Sequence, residues 1–332
     1  MAGTLTRRNF LSLDFGDRKA SGDHWVRVHR VAMACRFEVM LPSDDAINVE
    51  AARAALDEAD EIDSLLTVFR DGGETAELNH RAAAEAVVVS DGLFDILQRS
   101  AALSAATGGA FDVTSAPLDR CWEFLRQNGH VPDDVEIEEA RAIAGMQHVI
   151  LDRTAGTVTF ARQGVEIHFG QIGKGYALDR MADVLRARGA RRALLSAGRS
   201  SVLAIGGRGR GWPVDLWPRL ASRTGRLWVR NGAVGMSGAG EPFTVVDGQR
   251  YGNVIDPRTG HPADGVLAAS AVARDAATAE ALSAAFLVGG PALAESYCTA
   301  HPGTMAILVL DKPDEPTTVF GRYDGATLED LP

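Results

Sequence analysis

The chain is short of cysteine, has no basic run and lacks an uninterrupted apolar stretch of membrane length. Each shortage excludes something. Three cysteines in 332 residues (Cys35, Cys121 and Cys298) lie far apart. An odd, sparse set makes neither a disulfide framework nor a cysteine zinc site. It suits a reducing compartment and small buried side chains. The formal net charge is −10. Nucleic acid and anionic membranes are bound chiefly through clustered Lys and Arg, so neither is an expected partner. No segment reads as a membrane span, no internal repeat is visible, and no linker separates two domains.

What is present is an ordinary globular composition, 46% hydrophobic and 23% charged. That is enough for one large core. The expected organisation is a disordered or extended lead-in over 1–24 and a single domain over 25–325. Thr6-Arg-Arg-Asn-Phe-Leu11 looks like a twin-arginine export signal, but polar and charged residues follow where an apolar stretch belongs. Ala32-Met-Ala-Cys35 imitates a lipoprotein cleavage site behind a charged, alternating segment. The expected location is the cytoplasm, with export by a degenerate twin-arginine signal as the alternative.

Periodicity places the elements. Trp25 to Leu41 alternates as a strand. Asp45 to Phe69 is helical, with Ala51, Ala55, Ala59, Ile62 and Leu66 on one face. Glu74 to Asn79 reads as a short helix or turn, and Asp91 to Ala106 as a helix ended by Thr107-Gly-Gly109. Ala110 to Trp122 reads as a loop, Glu136 to Ala144 as a helix, and Thr157 to Phe169 as a strand. Short strands follow over 192–246, with Asp247-Gly248 as a hairpin turn. Val266 to Ala273 is a strand, Thr278 to Gly289 and Ala292 to Ala300 are helices, and Met305 to Leu310 pairs with Thr317 to Gly321 in a closing hairpin. Strands and helices mix without a regular alternation, which argues for an α+β fold.

The most telling stretch is His168-Phe-Gly-Gln-Ile-Gly-Lys-Gly-Tyr-Ala-Leu-Asp179, a glycine-rich join between strand and helix. Glycines admit close backbone approach, and helix-start N–H groups beside a Lys favour an anion. It is not a phosphate-binding loop of the Walker type, because His168 and Gly175 occupy the positions that need Gly and Ser or Thr. Asp179 has two readings: a bond to a sugar hydroxyl, or a place in the helix. Three further places carry possible chemistry: Gly108-Gly-Ala-Phe-Asp112, Ile255-Asp-Pro-Arg-Thr-Gly260, and the Glu280 and Ser283 pair on one helical face. Two oxygen side chains so placed suit a hard cation such as Mg²⁺.

Taken in order, these places resemble the ApbE-like family of FAD:protein FMN transferases. The likeness runs from about Arg27 to Gly321 and includes Ala32 to Cys35, Leu65 to Asn79, Thr107 to Thr114, Gly170 to Asp179, Met236 to Gly238, Val254 to Gly260 and Ala279 to Gly289. The resemblance implies an α+β fold of ApbE, T-fold-like architecture, with a mixed, largely antiparallel sheet and flanking helices. It implies Mg²⁺-dependent cleavage of FAD, with FMN passed to a Thr or Ser of an acceptor flavoprotein and AMP released. A non-catalytic FAD-binding relative and an FAD hydrolase giving FMN and AMP are the alternatives.

Residue by residue, the resemblance puts Met33 and Phe69 against the flavin dinucleotide, and Ala110, Phe111 and Asp112 at the adenosine part. It puts His168 and Lys174 in the FAD loop, and Ile255 on FAD through its backbone. Gln171, Glu280 and Ser283 fall at the metal positions, and Glu280 and Lys174 are the implied catalytic pair. The sequence differs from the family pattern at His168 (Asp in the family), Asn253 (His), Gly240 (Tyr), Glu280 (Asp) and Ala284 (Thr).

Overall fold

The computed structural model describes residues 12–14, 25–43, 49–69, 72–128, 130–217, 225–238, 244–246, 249–252, 254–311 and 317–329. Strands β1 (Ser12–Asp14), β2 (Trp25–Ala32) and β3 (Cys35–Pro42) lead into helices α1 (Val49–Leu66) and α2 (Glu74–Arg81). Strand β4 (Val87–Val88) precedes α3 (Asp91–Ala106), α4 (Ala116–Asn128) and α5 (Asp134–Ile143). The hairpin β5 (Val149–Asp152) and β6 (Thr157–Phe160) is followed by α6 (Gly173–Ala187). Next come β7 (Ala193–Ala197), β8 (Ser201–Ile205), β9 (Trp212–Leu216), β10 (Gly225–Val229) and β11 (Gly232–Gly238). A hairpin of β12 (Thr244–Val246) and β13 (Gln249–Tyr251) precedes β14 (Val266–Ala273) and α7 (Ala276–Ala300). The chain closes with β15 (Met305–Leu310), β16 (Thr318–Gly321) and β17 (Ala326–Glu329).

The main sheet has nine strands in the order β1-β2-β3-β7-β8-β11-β14-β15-β16. Every pairing in it is antiparallel, so the α+β expectation holds. Its period-2 strands feed two cores. On one face Leu203, Ala233, Ala269, Ala271 and Leu308 pack with α1, α6 and α7. On the other, Val202, Val234, Ala268, Val272 and Ile307 meet Trp212, Val214, Leu227 and Val229 of the small β17-β10-β9 sheet. A third cluster joins Leu118 and Trp122 of α4, Ile137 and Ala140 of α5, and Ile255.

Several sequence expectations change. Trp25 to Leu41 is not one strand but the hairpin β2–β3, because the chain reverses at Met33 and Ala34, both left-handed. Ala110 to Trp122 is not all loop, because α4 begins at Ala116, with Pro117 in its first turn, where a missing N–H costs nothing. The strand expected to reach Phe169 ends at Phe160. Beyond it Val165, Ile167 and Phe169 stay buried in no ladder; the Asn79 side chain exchanges two hydrogen bonds with the Ile167 backbone (2.9 and 2.8 Å) instead. Helix α6 begins at Gly173, so the glycine-rich join is largely its first turn. Strand β17 has no counterpart in the sequence reading.

The two C-terminal helices are one element kinked at Gly290 (φ 63°, ψ −161°), before Pro291. Its window of highest hydropathy is long and apolar enough to cross a membrane, and 67% of that window is buried within the fold. A core helix passes the same test, and the absence of any span-length segment expected from the sequence is corrected to that extent. Of the lead-in, Ser12–Asp14 adds to the edge of the sheet on β2. Arg7, Arg8, Gly240, Asp247, Gly248 and Asn253 lie outside the described residues.

Candidate functional site

The site is built where α6 and α7 meet over β11. A Cβ at Gly175 would fall into the backbone of Ala276, and one at Gly235 into the backbone of Ala279. Two glycines therefore let the first turns of α7 press against α6 and the sheet. Asp179 braces the same corner: its carboxylate accepts from Ala276 N (2.7 Å) and Ala277 N (3.0 Å). Of its two sequence readings the structure keeps the one inside the protein. Burial and the neighbouring Asp275 push its pKa up to about 7, against those two backbone N–H groups and Arg99.

Glu280, one turn into α7, is 5% exposed. Its Oε2 accepts from Gly175 N at 2.6 Å, and its Oε1 is ion-paired with the Lys174 ammonium. Lys174 also donates to Gly170 O at 3.3 Å. The helix start that the sequence marks as anion-friendly thus already holds an anion, the protein's own carboxylate. Ser283 Oγ donates to Glu280 O and shares a hydrogen bond with Ser237 Oγ, both at 2.8 Å. Ser201, opposite Gly235 in the register, carries a buried hydroxyl with no hydrogen-bond partner.

These donors are hard oxygens, the chemistry Mg²⁺ prefers. Mg²⁺ is commonly held by one or two carboxylates plus the substrate's phosphates rather than by a protein cage. Among the described residues no group of three or more His, Cys, Asp or Glu forms a candidate metal centre. The corner therefore fits a cation shared with a diphosphate, not a cage that binds one alone.

Around this corner lie the loops. His168 N donates to Val113 O (2.7 Å), tying the Lys174 loop to the segment that contains Ala110, Phe111 and Asp112. Ala110 and Phe111 are buried, backbone included, and both of their N–H groups are bonded to Thr107, so neither presents a surface to a ligand. The Asp112 carboxylate is engaged four times, by Thr114 N (2.8 Å), Thr114 Oγ1 (2.6 Å), Met146 N (2.9 Å) and Ser104 Oγ (3.4 Å). It organises the loop. Gly109 lies against the Arg258 side chain, which is clamped on both oxygens of Asp256 (2.9 and 2.8 Å). Ile255 is buried beside Trp122, and Trp122 Nε1 donates to Gly260 O at 2.7 Å.

At the rim, the His168 ring accepts from Gly170 N through Nδ1 (3.3 Å) and meets Phe69 edge-on at 6.2 Å. Phe69 is 87% exposed, an aromatic face without a partner commensurate with its size. Desolvation lowers the His168 pKa, reinforced by Lys174 and opposed by Glu166, so the ring is neutral near pH 7. Met33 and Ala34 form the β2–β3 turn with left-handed φ values of 47° and 56°. The next residue, Cys35, has its thiol pKa raised by burial, with Lys174 lowering and Glu280 raising it; the turn therefore sits at the same corner. Gln171 is half-buried in the Lys174 loop.

Of the residues picked from sequence, the structure brings Lys174, Glu280 and Ser283 into one connected network and sets His168 and Phe69 beside it. Asn79, Ser237 and Cys35 were given no site role by sequence. Asn79 and Cys35 end two of the family-like stretches and Ser237 is central to a third, which was their only signal.

The profile of the ApbE family matches residues 33–309. An FAD:protein FMN transferase of Klebsiella pneumoniae is 33% identical over 208 residues, 62% of this chain and 64% of that relative's length. One of Treponema pallidum is 30% identical over 272 residues, 76% of this chain and 74% of the relative. The crystal structure of the ApbE protein of Thermotoga maritima superposes with a TM-score of 0.78 at 28% identity, covering 90% of this chain and 97% of that one.

Proposed function

The chain belongs to the ApbE family, and from that premise we propose that it transfers FMN from FAD to a Thr or Ser hydroxyl of an acceptor flavoprotein, releasing AMP. The observation that carries the reading is the buried Glu280 carboxylate, held between the Lys174 ammonium and Gly175 N–H at a helix start. This is where a negatively charged diphosphate and a carboxylate base can be placed side by side.

In this reading the acceptor hydroxyl oxygen bonds to the FMN phosphorus. The phosphorus–oxygen bond to AMP breaks, and the hydroxyl proton passes to Glu280. Lys174 binds a phosphate oxygen and offsets the charge that develops there. Glu280, Ser283 and the backbone at Gln171 would hold Mg²⁺, which when bound supplies electrostatic stabilisation of the diphosphate. Phe69 and Met33 cover the flavin ring. The loop that Asp112 organises and the turn that holds Ile255 and Arg258 would flank the adenosine part. His168, neutral near pH 7, presents a hydrogen-bonding ring rather than a second carboxylate beside these phosphates.

The test is direct. The protein is incubated with FAD, Mg²⁺ and a flavoprotein fragment bearing a Thr or Ser acceptor site, and fluorescence is read on the denatured fragment. Covalent flavin on the fragment supports the reading. Free FMN with AMP and an unlabelled fragment would replace it with hydrolysis, and FAD retained intact would replace it with a binding role.

A further inference from the structure

The Lys174 and Glu280 pair has a consequence beyond transfer itself. Glu280 is almost wholly buried, and a buried carboxylate is tolerated only while something neutralises it. Here that partner is the Lys174 ammonium. One carboxylate cannot neutralise an ammonium and a divalent cation together, and the two cations repel at contact distance. Asp179, the other carboxylate bonded at this corner, does not relieve the conflict. Asp179 faces the start of α7 through Ala276 and Ala277, and the Glu280 oxygen not paired with the ammonium accepts from Gly175 N.

The ammonium is also the mobile half of the pair. Its second contact is a backbone carbonyl, Gly170 O, at 3.3 Å, and its side chain is 23% exposed against 6% for Glu280. An arriving diphosphate offers it stronger partners than either.

From this we infer that Lys174 is an exchangeable counter-ion that makes cation binding and diphosphate binding depend on each other. When a diphosphate enters, the ammonium moves onto its oxygens, and the bared Glu280 carboxylate takes a divalent cation in its place. Neither half proceeds well alone, because moving Lys174 without a cation strands a buried negative charge. Adding a cation without moving Lys174 crowds two positive charges on one carboxylate.

The inference rests on the proposed reading only in supposing that a diphosphate binds here, and its test separates the two. Mn²⁺ binding is followed by electron paramagnetic resonance on the full chain, alone and with saturating ADP, and ADP binding is measured by calorimetry with and without Mn²⁺. We expect ADP to tighten Mn²⁺ at least tenfold and Mn²⁺ to tighten ADP by the same factor, as linkage requires. Lys174→Gln should bind Mn²⁺ at least tenfold tighter than the wild type in the absence of ADP and lose the mutual effect; Lys174→Arg should keep it. Circular dichroism and melting temperature confirm that each variant is folded. ADP binding with no change in Mn²⁺ affinity overturns the counter-ion role alone. Lys174→Gln with unchanged Mn²⁺ affinity also overturns it, and Lys174→Met, equally uncharged, serves as the second variant with the same expected and overturning results should the Gln chain not fold. No ADP binding at all overturns both the inference and the reading beneath it.

Discussion

The two faces of the nine-stranded sheet are built by different rules. The face toward the small β17-β10-β9 sheet is an apolar layer of Val, Ile, Ala, Leu and Trp, with the ring centroids of Trp25 and Trp212 4.9 Å apart. The helical face buries apolar side chains too, but it also admits Glu280, Asp179 and the Lys174 ammonium and closes around two glycines. The first face tolerates exchange of one apolar group for another of similar volume. The second tolerates little, because each charge there exists only through a named partner. In the proposed reading the chemistry is confined to the helical face, and the other face supplies stability.

Substitutions can break or sharpen that contrast. The largest effect is expected for Glu280→Ala: FMN transfer should fall about a thousandfold, roughly 4 kcal/mol in the barrier, while FAD is still retained, and residual transfer near the wild-type rate would remove Glu280 from the mechanism. Next, Trp212→Ala on the opposite face should cost about 3 kcal/mol in urea unfolding and leave the turnover of the folded fraction unchanged; a loss of turnover would show that the faces are not independent.

Gly175→Ala should cost about 2 kcal/mol by overpacking against Ala276 and, unlike Trp212→Ala, should also slow transfer, which a paired stability and rate measurement will reveal. Asp179 adds a pH signature to the helical face. Its folded pKa, about 7, lies above the ordinary carboxylate value, so its contribution to stability is full below about pH 4 and lost as pH rises through 7. Relative to Asp179→Asn, the wild type should lose about 2 kcal/mol between pH 5 and 7. Parallel curves for the two proteins would count against that assignment. The smallest effect is expected at the rim, where Phe69→Ala should raise the KM for FAD about fivefold, near 1 kcal/mol, with kcat unchanged.

Much of the fold was legible because its period is strong. Trp212–Leu216, Val266–Ala273, Met305–Leu310 and Asp91–Ala106 stand where alternation or helical spacing puts them. The reading failed where a residue had two meanings. Ala110 to Trp122 reads as a loop, yet α4 begins at Ala116 with Pro117 in its first turn. Val165 and Ile167 alternate like strand residues, yet their segment pairs with an Asn79 side chain instead of a strand. At the site, the residue types of Lys174 and Glu280 were visible but their partnership was not, since more than a hundred residues separate them. The role of Asp179 was equally hidden, because a helix that caps another helix leaves no local pattern.

The strand order has a consequence during synthesis. The β2–β3 hairpin is made early, but the neighbour that covers β3 is β7, which leaves the ribosome only after helices α1 to α6. Until then the edge of β3 that pairs with β7 shows water an open row of backbone N–H and C=O groups. Such an edge invites pairing with other nascent chains. Yield at high expression should therefore depend on how fast the chain reaches Ala193–Ala197, and a chaperone acting on this protein would be most useful in that interval.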